Sequence, residues 1–365
     1  MINRNTQALQ ALGQSLWLDN ITRDMLADGT LARYIAELSV TGLTSNPSIF
    51  EQAIGKGSAY DEQIGALTQA GRSGEDLFFA LAEQDLGRAA ELFKPIFDAT
   101  GGVDGRVSLE VSPLLVDDTA GTIAAARQLF DATARANLFI KIPGTPAGVK
   151  AIEESIFSGI PVNVTLLFSR EQYLAAAEAY MRGIERRIEA RLDPKVESVA
   201  SLFVSRWDVA VKDQVPADHR NRLGVAISGR TYKAYRELLA GPRWQRLTAA
   251  GARPQRLLWA STGTKDPDAS DTLYVEKLAA PDTIDTIPDK TLLAFADHGK
   301  VGAALAPDGG DAEQVIAGFV KLGIDVDALA LRLQKEGGDA FKKSWRGLLA
   351  GIEDKSTKLA GAAAR

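Results

Sequence analysis

The chain contains no cysteine, and its 365 residues include only two histidines, His219 and His298. The first absence removes disulfides, thiolate nucleophiles, cysteine-ligated metals and dithiol redox chemistry together. The second gives little support to histidine triads or histidine-rich metal sites. No run approaches the ~18 apolar residues of a membrane span, and the opening Met1-Ile2-Asn3-Arg4-Asn5-Thr6 lacks the apolar core of a signal peptide. A soluble, cytoplasmic protein with no membrane partner is expected. An excess of positive charge is also missing. The net charge of -5 and pI near 5.4 argue against a nucleic-acid binder while leaving room for a local phosphate site.

What is present is a lysine in an unusual place. In Asn137-Leu138-Phe139-Ile140-Lys141-Ile142-Pro143-Gly144, strand alternation puts Phe139 and Lys141 on one face, with Leu138, Ile140 and Ile142 on the other. Pro143-Gly144 ends the strand and leaves Lys141 near its C-terminal end. Lysines are almost never fully buried unless paired or put to use. One alternative is an edge-strand lysine whose stem packs while its ammonium reaches water. The other requires matching chemistry on neighbouring strands.

Seven more strands are expected, over 15–20, 38–47, 106–113, 160–168, 198–206, 256–261 and 282–288. Helical patterns fall between them: 6–14, a stretch ending at 36, 47–105, 122–135, 147–157, and long segments from 169 to about 250. Ser169 and Gln172 fit a capping box at the start of one helix, with Tyr173, Ala177, Tyr180, Ile184 and Ile188 along its inner face. Ile123, Ala126, Phe130 and Thr133 mark another inner face. Strand followed by helix, eight times, predicts an α/β fold: a closed parallel (β/α)8 TIM barrel with additional helices. A doubly wound open sheet with an added helical part is the alternative. A single barrel domain over 1–365 is expected, with a helical insertion at 47–105, a C-terminal helical extension and a frayed tail at 361–365.

Active sites of such barrels lie at the C-terminal ends of the strands. The polar residues there are Asp19, Asn46, Glu110, Lys141, Asn163, Thr165, Ser201 and Arg206. Ser108 shares a face with Glu110, Asn163 with Thr165, and Ser201 with Phe203, all in the inward sense of Phe139 and Lys141. Polar groups facing a barrel interior are costly unless they satisfy one another or handle a ligand. One such residue is ordinarily structural; five strands ending this way point to a site.

A lysine among carboxylates and hydroxyls suits Schiff-base chemistry on a carbonyl. The attacking amine must be neutral, whereas an ordinary lysine, with a pKa of about 10.4, is almost wholly charged near neutral pH. Desolvation favours the neutral form, and a nearby Glu110 or Asp19 opposes it. Once the iminium forms, its positive nitrogen draws the electrons of a nearby carbon–carbon bond. Cleavage then needs a base for the hydroxyl proton, and carbinolamine formation and dehydration need an acid and a base. Asp19 and Glu110 can divide these roles.

These residues carry a family resemblance. Leu16-Trp17-Leu18-Asp19, Thr41-Gly42-Leu43-Thr44-Ser45-Asn46-Pro47-Ser48, Val107-Ser108-Leu109-Glu110-Val111, Ile140-Lys141-Ile142-Pro143, Asn163-Val164-Thr165-Leu166-Leu167-Phe168-Ser169 and Phe203-Val204-Ser205-Arg206 follow in the order found in transaldolases. The chain resembles that family, within the class I Schiff-base aldolases, over about its first 210 residues. The resemblance implies transfer of a dihydroxyacetone unit from sedoheptulose 7-phosphate to glyceraldehyde 3-phosphate, in the pentose phosphate pathway. It implies Lys141 as the Schiff-base lysine, Asp19 as acid/base, and Glu110 with Thr165 around a catalytic water. Asn46 and Asn163 match positions that bind the dihydroxyacetone part, Ser201 and Arg206 the phosphate site, and Phe203 the aromatic beside it. The implied partners are sugar phosphates, and no metal or organic cofactor is implied. Oligomeric state is not implied either way.

One departure stands out. Better-known members carry a second phosphate-binding arginine after the seventh strand, but no arginine occurs here between Arg256 and Arg332. The loop Ser261-Thr262-Gly263-Thr264-Lys265 takes its place, so Ser261 and Lys265 are the expected substitutes, Lys265 as a point charge without the bidentate fork. The related fructose 6-phosphate aldolases are much shorter, with glutamine and tyrosine where this chain has Glu110 and Phe203; both positions favour the transferase. A non-catalytic sugar-phosphate-binding barrel would have no need for Lys141, Asp19 and Glu110 together. The C-terminal helices are expected to pack over the barrel mouth near Phe341 and Trp345.

Overall fold

The computed structural model describes residues 2–363, so the end of the tail expected to fray lies outside the described residues. All eight expected strands form: β1 (Ser15–Asp19), β2 (Val40–Thr44), β3 (Arg106–Glu110), β4 (Leu138–Pro143), β5 (Val162–Leu167), β6 (Ser198–Phe203), β7 (Arg256–Ala260) and β8 (Thr283–Ile287). Each pairs in parallel with the next, and β8 closes on β1. Closure excludes the open doubly wound sheet.

The connecting helices follow their local signals with some differences. The helix Arg170–Glu189 starts at a complete Ser169–Gln172 capping box and buries Tyr173, Ala177, Tyr180 and Ile184. The stretch expected to run helically to residue 36 is two helices, Arg23–Ala27 and Thr30–Glu37, parted at Gly29 with φ 81. The helical region after β2 is three helices, Pro47–Lys56, Asp61–Gln69 and Gly74–Ala99. The helix Thr119–Thr133 buries Thr122, Ala126 and Leu129, a face rotated from the expected one.

Strand parity separates two layers of core. Outward-facing Leu16, Leu18, Val107, Ile140 and Val164 pack under the helices, while Trp17, Phe139, Val199, Leu258 and Ile284 fill the barrel. Full burial of side chains of this kind contributes roughly 1.5–3 kcal/mol each. Trp17 shapes its neighbour: a Cβ on Gly42 would lie 2.6 Å from the indole, so glycine at that strand position is a packing requirement. The indole Nε1 donates to Asp104 Oδ1 (2.6 Å), and Thr41 Oγ1 donates to Asp104 Oδ2 (2.9 Å). With the Arg106–Glu197 pair (3.0 Å), these groups fill the N-terminal floor with partnered charge.

At the other end lies the helix Val326–Ala363. Gln334 Nε2 donates to the carbonyls of Gly144 and Leu166, both at 3.0 Å, tying this helix to the segments at the ends of β4 and β5. Ser48 Oγ donates to Ser344 Oγ (2.8 Å) on the β2 side. The helix therefore crosses the barrel mouth, and Phe341 sits over it as expected. Trp345 does not. Its ring packs 4.9 Å from Phe78 and its Nε1 donates to Glu75 Oε1 (2.7 Å), on the helix Gly74–Ala99.

Candidate active site

The C-terminal ends of the strands surround a cavity of about 210 Å³. Its lining includes Asp19, Asn46, Lys141, Thr165, Ser201, Phe203, Arg206, Ser261 and Lys265, nine of the eleven expected site residues. The other two do not line it: Glu110 pairs with Lys141 and Asn163 bonds Ser201, each behind a lining residue. Surface hollows elsewhere are larger, one of about 470 Å³ beside Arg222 and Leu273, but no strand-end polar group lines it. Chemistry locates the site; size does not.

Register explains the central pair. Glu110 on β3 is the lateral partner of Lys141 on β4, and Lys141 Nζ lies 3.0 Å from Glu110 Oε2. The amine donates to the Ser45 carbonyl (3.0 Å), and its nitrogen stands 5.7 Å from the centroid of the Phe341 ring. Lys141 is only 5 % exposed and Glu110 only 4 %. Neither Glu110 oxygen takes a well-aligned hydrogen bond from the protein. Burial pushes the Glu110 carboxyl above its ordinary range, with the Lys141 charge pulling it back. A carboxyl so poised can exchange a proton with the amine beside it.

Asp19 is raised for the same reason, burial, with the Lys141 charge and a hydrogen bond from Thr44 opposing. Thr44 Oγ1 donates to Asp19 Oδ1 (3.2 Å) and so must accept from Thr286 Oγ1, 2.7 Å away. On the opposite wall, Ser201 Oγ donates to Asn163 Oδ1 (2.7 Å), whose Nδ2 donates to Ser108 Oγ (3.1 Å). This chain joins β6, β5 and β3 under the cavity and fixes which way the Asn163 amide faces.

Regular alternation puts Thr165 on the face of Asn163, and an irregularity follows directly after it. Pairing between β5 and β6 slips between Val164 and Leu167, and Leu166 takes φ 60. Such bulges re-aim neighbouring side chains, and a left-handed leucine costs on the order of 1–3 kcal/mol. The C-terminal helix holds it: Gln334 bonds the Leu166 carbonyl, and a Cβ on Gly337 would meet the Leu166 side chain at 2.9 Å. Thr165 Oγ1 is buried with no hydrogen-bond partner in the protein.

The far end of the cavity is cationic. Arg206 follows β6 at the start of the helix Ser205–Val211, its guanidinium 5.6 Å from the Phe203 ring centroid. Ser261, after β7, adopts φ 58 and is held by Ser205, whose N–H donates to the Ser261 carbonyl (3.1 Å) and whose Oγ lies 2.9 Å from Ser261 Oγ. Lys265 comes from the same loop, anchored at Asp266 by Asn221 Nδ2 (2.8 Å). Among the described residues neither Arg206 nor Lys265 forms an ion pair, though both face the cavity. Two free cations beside serine hydroxyls suit an anionic group.

A family model described as Transaldolase/Fructose-6-phosphate aldolase matches residues 16–352. The chain belongs to the transaldolase/fructose-6-phosphate aldolase family. Among curated relatives, a transaldolase of Thiobacillus denitrificans is 45% identical over 355 residues, covering 95% of this chain and 99% of the relative. A transaldolase of Frankia alni is 44% identical over 353 residues, with 94% and 95% covered. One named transaldolase 2, of Streptomyces coelicolor, is 42% identical over 367 residues, with 97% and 99% covered. Family membership extends the resemblance, first seen over the N-terminal 210 residues, to nearly the whole chain.

Within this family member, Thr44, Ser48, Thr286 and Phe341 also line the cavity. Inward parity with Asp19 and Trp17 is the signal that marks Thr44 on β2 and Thr286 on β8. Nothing local marks Ser48. Among the described residues no group of three His, Asp or Glu side chains is placed to hold a metal ion, and no described helix is long and apolar enough to cross a membrane.

Proposed function

We propose that the chain is a transaldolase, moving a dihydroxyacetone unit from sedoheptulose 7-phosphate to glyceraldehyde 3-phosphate and giving erythrose 4-phosphate and fructose 6-phosphate. The observation that carries this is the buried Lys141–Glu110 pair at 3.0 Å, at the floor of a cavity whose far end holds Arg206 and Lys265. The phosphate sits against Arg206, Ser201, Ser261 and Lys265, and the reacting carbonyl comes over Lys141 Nζ. The amine, its proton passed to Glu110, attacks the carbonyl carbon. Glu110 and Thr165 then manage the water lost and regained as carbinolamine becomes iminium. Asp19 takes the proton of the hydroxyl two carbons along, the carbon–carbon bond breaks, and its electrons move to the iminium nitrogen.

Asn46 and Asn163 hold the hydroxyls of the enamine left on Lys141 while the first aldehyde leaves. The acceptor aldehyde binds through its own phosphate at the same cations, and Asp19 returns the proton as the new bond forms. Glu110 and Phe203, in place of glutamine and tyrosine, favour transfer over simple aldol cleavage. The compartment we infer is the cytoplasm. The test is borohydride with fructose 6-phosphate: an adduct of one dihydroxyacetone unit mapping to Lys141, absent from Lys141→Met, is expected. An unmodified Lys141, or full turnover by the methionine variant, refutes it.

A further inference from the structure

We infer that Phe341, on the C-terminal helix, acts with Glu110 and Phe203 on the fate of the Lys141 enamine by shielding it from solvent water at the cavity mouth, so that it transfers rather than releasing free dihydroxyacetone. This rests on the Schiff-base reading above. After cleavage the enamine carbon is nucleophilic and has two outlets. It can add to the aldehyde carbon of the acceptor, whose oxygen takes the proton held by Asp19. Alternatively it can take a proton from water or an acid and become an iminium. Water then adds to the C=N carbon, the C–N bond breaks, and free dihydroxyacetone and the lysine amine result. The second outlet consumes one water in all, because the proton taken up at carbon is returned when water adds to the iminium, and it needs no acceptor. Transfer and release, the two activities in the family's description, differ in which outlet is open.

The geometry favours the first outlet. Lys141 Nζ has Glu110 at 3.0 Å and the Ser45 carbonyl at 3.0 Å as polar neighbours. Across the cavity mouth it meets the Phe341 ring, 5.7 Å from nitrogen to centroid and itself 6 % exposed. A phenyl ring supplies no proton and gives water too few partners to settle. Its position is enforced along one helix face. Gln334, Gly337, Phe341 and Ser344 recur at spacings of three and four, and so point the same way. Gln334 and Ser344 are hydrogen-bonded to the barrel loops, and Gly337 lets the helix settle against Leu166. The ring is therefore held over the amine by contacts on both sides of it in the helix.

The test compares the unsubstituted protein with Phe341→Leu and Phe341→Ala. Fructose 6-phosphate is supplied in D2O, without an acceptor and then with erythrose 4-phosphate. Dihydroxyacetone released by the second outlet carries one deuterium on a hydroxymethyl carbon. The ratio of release to transfer should rise about threefold in Phe341→Leu and about tenfold or more in Phe341→Ala, with a borohydride adduct still mapping to Lys141 in each. An unchanged ratio in a folded, trappable Phe341→Ala protein overturns the inference. Should that variant not fold, an unchanged ratio in Phe341→Leu does the same. Absence of any Lys141 adduct in the unsubstituted protein removes the Schiff-base reading itself, so the adduct distinguishes the two failures.

Discussion

Asp285 on β8 offers a sharp test of how burial governs charge in this barrel. It is fully buried, Thr262 Oγ1 donates to its Oδ1 (2.7 Å), and its Oδ2 meets no donor. Burial pushes its carboxyl from 3.8 up to about 7; the Thr262 hydrogen bond holds it down, and the nearby Asp19 adds to the rise. A raised carboxyl binds its proton more tightly folded than unfolded. Stability is therefore highest below the unfolded pKa, falls as pH rises from 3.8 toward 7, and levels off above. At about 1.36 kcal/mol per pKa unit, the full penalty is roughly 4 kcal/mol, of which roughly 3 kcal/mol develops between about pH 5 and pH 8. Asp285→Asn keeps an oxygen for Thr262 and carries no charge. Its buried NH2 costs about 1–3 kcal/mol, but equally at every pH. Urea unfolding of both proteins near pH 5 and near pH 8 should show the variant gaining on the parent by roughly 3 kcal/mol as pH rises. A difference between the two proteins that stays constant within about 1 kcal/mol would refute the claim that burial raises the Asp285 carboxyl in the folded protein.

Three further substitutions probe the site and its scaffold. Glu110→Gln preserves shape but cannot take the lysine proton, so transfer should slow by roughly 10²-fold or more in steady-state assays while the Lys141 adduct remains trappable; an unchanged rate would make Glu110 structural. Lys265→Ala should raise the KM for glyceraldehyde 3-phosphate about tenfold with little change in kcat, and leave unphosphorylated glyceraldehyde unaffected; equal loss on both aldehydes would remove Lys265 from the phosphate site. Gly42→Ala drives a Cβ to 2.6 Å from the Trp17 ring. It should cost about 1–3 kcal/mol of stability, read as a lower melting temperature, and an unchanged melting temperature would show that Trp17 can move.

What was legible in the sequence was whatever repeats. Parity along a strand assigns Ser108 and Glu110, or Asn163 and Thr165, to one face without knowledge of distant parts of the chain. The structure hydrogen-bonds Asn163 to Ser108 and Ser201 as that parity implies. The Leu166 bulge was not legible, because leucine is an ordinary strand residue and no glycine marks its positive φ. The contacts that hold it come from Gln334 and Gly337, about 170 residues away. Ser261 lines the cavity as its place after the seventh strand suggests, but its left-handed backbone, held by Ser205 on the preceding βα unit, carries no local signal. The nearness of Phe341 to Lys141 has no signal in the sequence, since helix periodicity gives a face and not what that face meets. Trp345, four residues on, shows the limit: it turns to Glu75 and Phe78 instead.

The problem raised by Lys141 was how a strand lysine can act as a free amine. Partnering alone works against it, because a carboxylate at 3.0 Å favours the ammonium. Burial changes what the partner prefers: Glu110, only 4 % exposed and without a well-aligned donor of its own, is pushed toward its protonated form. Placing a proton on Glu110 thereby becomes easier, and substrate that covers the cavity pushes further the same way by excluding water. A substrate carbonyl thus meets an amine whose departing proton already has a place to go. In the proposed mechanism the same proton, held on Glu110, is then available to expel hydroxide from the carbinolamine. On the proposed Schiff-base reading, Lys141 and Glu110 act as one proton-sharing unit, and their adjacent positions on β3 and β4, matched in register, matter more than the charge of either residue alone.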